Sequence, residues 1–191
     1  MKVGLYFGSF NPIHHGHLVI ANFILQQAHL DQVWFVVSPQ NPLKRSTSLL
    51  NEYHRLHLVR LAVEGEPRLK ASDIEFKLPK PSYTVDTLAY LQEKYPKEEF
   101  SIIMGSDSFQ NLTKWKNYSW LLQHYPIYVY RRPEHEKFPL YPDARHIEIL
   151  DAPLLPISST DIRGKLKRGQ SVRYLLPDAV LEEIEKSGYY R

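Results

Sequence analysis

Near the start of the chain, Gly8-Ser9-Phe10-Asn11-Pro12-Ile13-His14-His15-Gly16-His17-Leu18 gathers three imidazoles, two glycines and an Asn-Pro pair. His14 and His17 stand three apart, so on the first turn of a helix both rings project to one side. A helix start carries unpaired N–H groups and a partial positive charge, which together make an anion site. A phosphate suits it, because each histidine can donate to phosphate oxygens and a nearby polyphosphate favours the protonated imidazole. Gly8 and Ser9 let the backbone approach such a ligand, Asn11 can accept from free amides, and Pro12 restrains the turn. The same residues also suit a solvated surface cluster. Zinc is a third reading, opposed by the lack of cysteine and of a second stretch rich in His, Asp or Glu at ligand spacing.

These residues need a scaffold. Lys2–Phe7 is a nearly continuous apolar run, as expected of a strand buried on both faces of a parallel sheet. Similar runs follow at Gln32–Val37, around Leu69–Ala71, and at Phe100–Met104, Ile127–Tyr130 and His146–Leu150. Between them lie helical patterns: 16–29 with Leu18, Ala21, Ile24, Leu25 and Ala28 inward, and 51–64 with Leu56, Val59, Leu61 and Val63 inward. His54 and His57 read as surface positions on the latter. A third helix opens near Ser82–Leu88 and runs to about Tyr95, with Ser82 or Thr84 as its cap. Residues 119–125 are a fourth. A fifth begins at Ser159, where Ser158 and Asp161 have capping-box-like spacing, and Gly169 can end it. The last has Pro177 at its start, Val180, Leu181 and Ile184 on one face, and Gly188 at its end. Such alternation implies right-handed crossovers and a Rossmann-like α/β fold: a doubly wound, mostly parallel sheet with helices on both faces and a short C-terminal helical extension.

The 191 residues fit one domain, 1–191, with 43% hydrophobic and 24% charged residues, a soluble globular composition. A net charge of +3 agrees with small anionic substrates and, without a long Lys/Arg run, argues against a nucleic-acid track. Met1-Lys2 runs straight into the first strand and no apolar stretch approaches the ~20 residues of a membrane helix, so no membrane association and a cytoplasmic location are expected.

In open parallel sheets, ligands sit beyond the C-terminal ends of the strands. The loops near residues 8–17, 38–45, 105–107 and 158–163 should therefore converge on one crevice. Lys44 and Arg45 fall in the second of these. Gly105-Ser106-Asp107 repeats the strand-to-loop pattern: Gly105 permits close approach, and Asp107 can accept from ribose hydroxyls or cap the next helix. Trp115, near a helix end, reads ordinarily as core.

Gly8–His17 resembles the (G/T)-x-F-(D/N)-P-x-H-x-G-H signature of the HxGH nucleotidyltransferases, and Ile157-Ser158-Ser159-Thr160-Asp161-Ile162-Arg163 resembles the ISSTxIR signature of the same superfamily. Three further segments are similar to those of the nicotinate-nucleotide adenylyltransferases: Asn41-Pro42-Leu43-Lys44, with Leu43 where the PPHK pattern has histidine; Ser82-Tyr83-Thr84 through Leu88, like SYTxxTL; and Gly105 to Trp115, like G-x-D-x(4)-L-x(2)-W. The resemblance implies adenylyl transfer from ATP to the phosphate of nicotinate mononucleotide, by direct in-line attack, in NAD biosynthesis. It implies His14, His17 and Arg163 as the catalytic residues, and Gly8, Ser9, Phe10, Gly105, Ile157, Ser158 and Ser159 beside them around ATP. It gives Lys44, Tyr83, Thr84, Asp107, Trp115 and Lys116 to the acceptor, with backbone N–H groups of Trp115 and Lys116 facing the nicotinate carboxylate. Mg²⁺ would bind mainly through the ATP phosphates, with no dedicated protein metal site, and a homo-oligomer is left open. The alternatives are a pantetheine-phosphate adenylyltransferase, a class I tRNA synthetase fragment, which the lack of a KMSKS-type segment opposes, and a nucleotide-binding module without turnover.

Overall fold

The computed structural model describes residues 1–40 and 48–191. Six strands, β1 (Lys2–Gly8), β2 (Gln32–Val37), β3 (Leu69–Ser72), β4 (Glu99–Gly105), β5 (Ile127–Tyr130) and β6 (Ile147–Leu150), form one sheet in the order β3-β2-β1-β4-β5-β6. Every neighbouring pair is parallel, so the sheet expected to be mostly parallel is wholly so among the described residues. The helices are α1 (His15–Gln27), α2 (Glu52–Val63), α3 (Thr84–Lys94), α4 (Ser106–Gln110), α5 (Tyr118–His124), α6 (Ser159–Lys167) and α7 (Asp178–Ser187).

Alternation along β1 explains the two layers of core: Val3 and Leu5 point to one face and Tyr6 to the other. Leu88 and Leu91 of α3 and Leu121 of α5 pack on the first face, while Ile24 of α1, Val59 of α2, Ile162 of α6 and Val180 of α7 pack on the second. Helix α1 stops at Gln27 rather than His29 because His29 has left the helix at φ 51°. Gly188 does close α7, adopting φ 69°, a left-handed cap that costs a glycine little. Between β3 and α3 a 3-10 turn, Ile74–Lys77, carries Glu75 inward.

The charged residue that helical periodicity passes over is Arg55. Placed on α2 between surface positions His54 and His57, it is nonetheless 0% exposed. Its guanidinium donates to the carbonyls of Leu50 (2.6 Å), Ser9 (2.7 Å), Ser38 (2.7 Å) and Pro39 (3.3 Å). Those carbonyls belong to the segments that leave β1 and β2 and enter α2. One side chain thereby fixes the loops on that side of the sheet's C-terminal edge.

Replacing Arg55 with Met strands several buried carbonyls, each costing about 1–3 kcal/mol. The variant is expected to lose at least ~3 kcal/mol of stability in urea denaturation. Arg60→Met, on the exposed side of the same helix, should change stability by no more than about 0.5 kcal/mol.

Candidate active site

Strand order reverses between β1 and β4, so the chains leaving these adjacent strands diverge and open a crevice at their C-terminal ends. The turn after β1 carries Phe10 at φ 46°, an uncommon backbone conformation for a bulky side chain. Its ring, 3% exposed, stands edge-on to Tyr6 (5.6 Å), Phe35 (5.4 Å) and His17 (5.1 Å), so Phe10 supports the floor beneath His17 from the core side.

His14 is the N-cap of α1, with its backbone N–H donating to His17 Nδ1 at 3.2 Å. Nδ1 being the acceptor, the neutral His17 ring carries its proton on Nε2. The two imidazoles stack with centroids 3.7 Å apart. Gly16 makes this possible, since a Cβ there would come within 2.8 Å of the His14 ring. His14 is 5% exposed and its Nδ1 finds no hydrogen-bond partner. Burial, followed by the positive charge of Arg132, pushes its pKa down to about 4. The ring expected to favour its protonated form beside a polyphosphate is therefore neutral at pH 7 when the cleft is empty.

The second signature closes over the first. Ser158 caps α6, its Oγ accepting from the Asp161 amide at 3.0 Å, as the spacing suggested. Ser159 Oγ donates to the Pro12 carbonyl at 2.9 Å, and Arg163 Nη1 donates to the Asn11 carbonyl at 2.9 Å. Segments about 150 residues apart become one wall.

On the other side, Gly105 has no room for a side chain: a Cβ would lie 2.5 Å from Asp107 Oδ1 and 2.9 Å from Arg132 Cδ. Asp107 pairs with Arg132 at 3.2 Å. Tyr83 is the N-cap of α3, and neither Ser82 nor Thr84 caps it with a side chain. The Lys116 ammonium lies 4.8 Å over the Tyr83 ring and 3.0 Å from Asp86. The paired amides expected at Trp115 and Lys116 need correction, because the Trp115 N–H closes the preceding 3-10 turn by donating to Leu112 O at 3.0 Å.

All these elements line one cleft of about 1620 Å³, larger than the ~300–1,000 Å³ of a typical single-ligand pocket. It brings together Gly8, Ser9, Phe10, His14, His17, Tyr83, Thr84, Gly105, Asp107, Trp115, Lys116, Ile157, Ser158, Ser159 and Arg163. Lys44 lies outside the described residues, as do Leu43 and Arg45. Sequence reasoning left out Arg132 and Glu75, which also line the cleft. Arg132 sits just past the end of β5, where the rule applied to Gly105 would have found it. Glu75 had no such signal. It is 3% exposed, accepts from Thr87 Oγ1 at 3.2 Å, and burial pushes its pKa up to about 7 against the pull of the Thr87 and Ser82 hydroxyls.

The family described as cytidylyltransferase-like matches the chain over residues 5–165. A curated relative from Flavobacterium psychrophilum, described as "Probable nicotinate-nucleotide adenylyltransferase", is 53% identical over 192 residues, covering 100% of both chains. One from Cytophaga hutchinsonii with the same description is 50% identical over 190 residues, covering 100% of this chain and 98% of its own. Among solved structures, the Plasmodium falciparum nicotinic acid mononucleotide adenylyltransferase complexed with NaAD superposes with a TM-score of 0.81 at 19% identity, covering 99% of this chain and 97% of that one. At that identity the likeness shows the fold.

The two buried titrating groups bend stability in opposite directions. Between pH 4.5 and about 7 the folded chain keeps the Glu75 proton that the unfolded chain has lost, so stability falls as pH rises through that window. Between pH 6.5 and about 4 the unfolded chain protonates His14 and the folded chain does not, so stability falls as pH drops there. Glu75→Gln isolates the first effect. Relative to the parent, its urea midpoint should rise between pH 5 and pH 8, by on the order of 3 kcal/mol in stability.

Proposed function

The chain belongs to the nicotinate-nucleotide adenylyltransferases of the cytidylyltransferase-like family, and from that premise we propose that it transfers the adenylyl group of ATP to the phosphate of nicotinate mononucleotide. The products are nicotinate adenine dinucleotide, a precursor in NAD biosynthesis, and pyrophosphate. The observation that carries this reading is the meeting of the histidine turn and the Ser158–Arg163 turn across one cleft, with Tyr83, Thr84 and Trp115 on its other side.

In this reading the triphosphate lies over the start of α1 and under Arg163, and the mononucleotide lies against Tyr83, Thr84, Asp107, Trp115 and Lys116. The acceptor phosphate is already anionic near neutral pH, so no side chain has to remove a proton. One of its oxygens forms a bond to the α-phosphorus of ATP as the bond from that phosphorus to the β-bridging oxygen breaks, and the electron pair leaves with pyrophosphate. The protein contributes alignment and charge stabilisation. His17 offers its Nε2 proton to the phosphoryl oxygens, and His14, neutral in the empty cleft, gains a proton as anionic oxygens arrive. Arg163 offers a planar fork to the departing phosphates, a geometry that lysine lacks.

Among the described residues no group of three or more His, Cys, Asp or Glu side chains could cage a metal. Magnesium carried by the triphosphate and water needs no such cage, and it would supply charge neutralisation on the phosphates. We take residues 1–191 as one nucleotidyltransferase domain working on small nucleotides in the cytoplasm. No described helix is long and apolar enough to cross a membrane.

Pyrophosphate release with ATP and a panel of phosphorylated acceptors tests the assignment: turnover with nicotinate mononucleotide is expected, and turnover only with phosphopantetheine would overturn it. His17→Ala should lower kcat by about 10²–10³-fold with the fold retained, the scale of one lost preorganised donor; near-parent turnover would remove His17 from this role. For the acceptor ring, a carboxylate only accepts hydrogen bonds, whereas an amide would point an NH₂ donor at the donors of Lys116. A preference for nicotinate over nicotinamide mononucleotide of about 10⁴-fold in kcat/KM is expected, and equal values would show that this side of the cleft was misread.

A further inference from the structure

Tyr190 does not line the cleft, yet its hydroxyl donates to Asn11 Oδ1 at 2.8 Å. Asn11 is the residue on which the walls of the cleft meet. It is 5% exposed, and its Oδ1 also accepts from the Leu50 amide (3.2 Å) while its Nδ2 donates to the Ser48 carbonyl (3.1 Å). Its own carbonyl accepts from Arg163 Nη1 at 2.9 Å. Through its side-chain amide and its backbone carbonyl, this one residue links the turn after β1, the segment entering α2, and the arginine of the second signature.

We propose that Tyr190 is a positioning residue for adenylyl transfer: its hydroxyl fixes the Asn11 amide, and through the Asn11 turn it fixes the guanidinium of Arg163. The proposal rests on the function proposed above. The segment bearing Tyr190 is held on its N-terminal side by Tyr189. The Tyr189 ring lies tilted against His54 of α2 (centroids 4.9 Å) with its hydroxyl 3.0 Å from His54 Nδ1, and its amide donates to Ile184 O at 3.1 Å. Tyr190 itself takes φ 65°, a conformation that costs a bulky residue about 1–3 kcal/mol and persists where surrounding contacts enforce it. Burial raises the pKa of its phenol, so it remains a donor throughout the neutral range, and the charges of Arg55 and Arg163 are both near enough to act on it. Without the hydroxyl, Asn11 Oδ1 keeps only the Leu50 amide, and the carbonyl that anchors Arg163 loses a restraint on its turn.

The test compares parent, Tyr190→Phe, Arg163→Ala and the double variant, with denaturation midpoints confirming that each is folded. Tyr190→Phe is expected to lower kcat about 10-fold, inside the ~10²-fold that a misplacement of ~1 Å can cost, with little change in KM for the acceptor. In the Arg163→Ala background the same substitution should have almost no effect, because its effect passes through Arg163. Ser187→Ala, which removes an exposed bond to Glu183 on the same terminal helix, should leave kcat at the parent value. Parent-like kcat in folded Tyr190→Phe, additive losses in the double variant, or an equal loss in Ser187→Ala would each overturn the proposal. A parent chain that releases no pyrophosphate with any acceptor would refute the function instead. The same variants would then be compared by calorimetric Kd for ATP, where weakening by Tyr190→Phe that vanishes in the Arg163→Ala background supports the positioning role and unchanged Kd overturns it.

Discussion

A permanent cation enclosed by carbonyl oxygens holds the working edge of this molecule. The strands of a parallel sheet deliver their last peptide groups to the edge where ligands bind, and the loops leaving there have no neighbouring strand to satisfy them. Arg55 supplies donors to Ser9, Ser38, Pro39 and Leu50 together, so those loops share one reference point. A lysine has fewer donors and lacks the planar fork that reaches several acceptors at once. The histidine turn can hold Phe10 at positive φ because the carbonyl just before it is pinned.

The electrostatics of the cleft follow from this framework. His14 is buried and close to Arg132, and burial first, then that positive charge, hold its pKa down to about 4. Glu75, across the cleft, has its pKa pushed up to about 7 for the related reason that burial penalises its charged form, against the pull of the Thr87 and Ser82 hydroxyls. The empty cleft thus carries less charge than its sequence suggests. Among the described cations of the cleft, Arg163 is tied to a carbonyl, and Arg132, Lys116 and Lys80 each to a carboxylate. Each tie orients a donor group in advance.

The strands were readable as apolar runs bounded by turn residues, and β2 coincides with its expected bounds, Gln32–Val37. Their order across the sheet was not, because pairing between β1 and β4 depends on contacts nearly a hundred residues apart. Among the described residues, the two signature segments, Tyr83-Thr84 and the Gly105–Trp115 segment, quoted by residue type and spacing, reach the cleft. What escaped were residues whose role comes from tertiary surroundings. Arg55 looks like any exposed helix charge until the carbonyls around it are placed. Glu75 sits in a 3-10 turn too short for periodicity to orient. Trp115, which reads ordinarily as core and is given to the acceptor by resemblance, lines the cleft, and its amide satisfies the turn that presents it.

The stitches that join Ser159 to Pro12, Arg163 to Asn11 and Tyr190 to Asn11 span 147, 152 and 179 residues. Closing loops of that length carries an entropic cost that short-range contacts must already have met, which places these contacts late in folding. During synthesis the histidine turn leaves the ribosome early and waits, its phosphate-facing surface without the opposite wall. A growing chain stopped before Ser159 would possess the first motif and all six strands, yet its cleft would lack the wall that Ser159 and Arg163 complete. Capture of nucleotide is therefore a property of the finished topology, and a triphosphate stabilises the late-closing part of the chain against reopening.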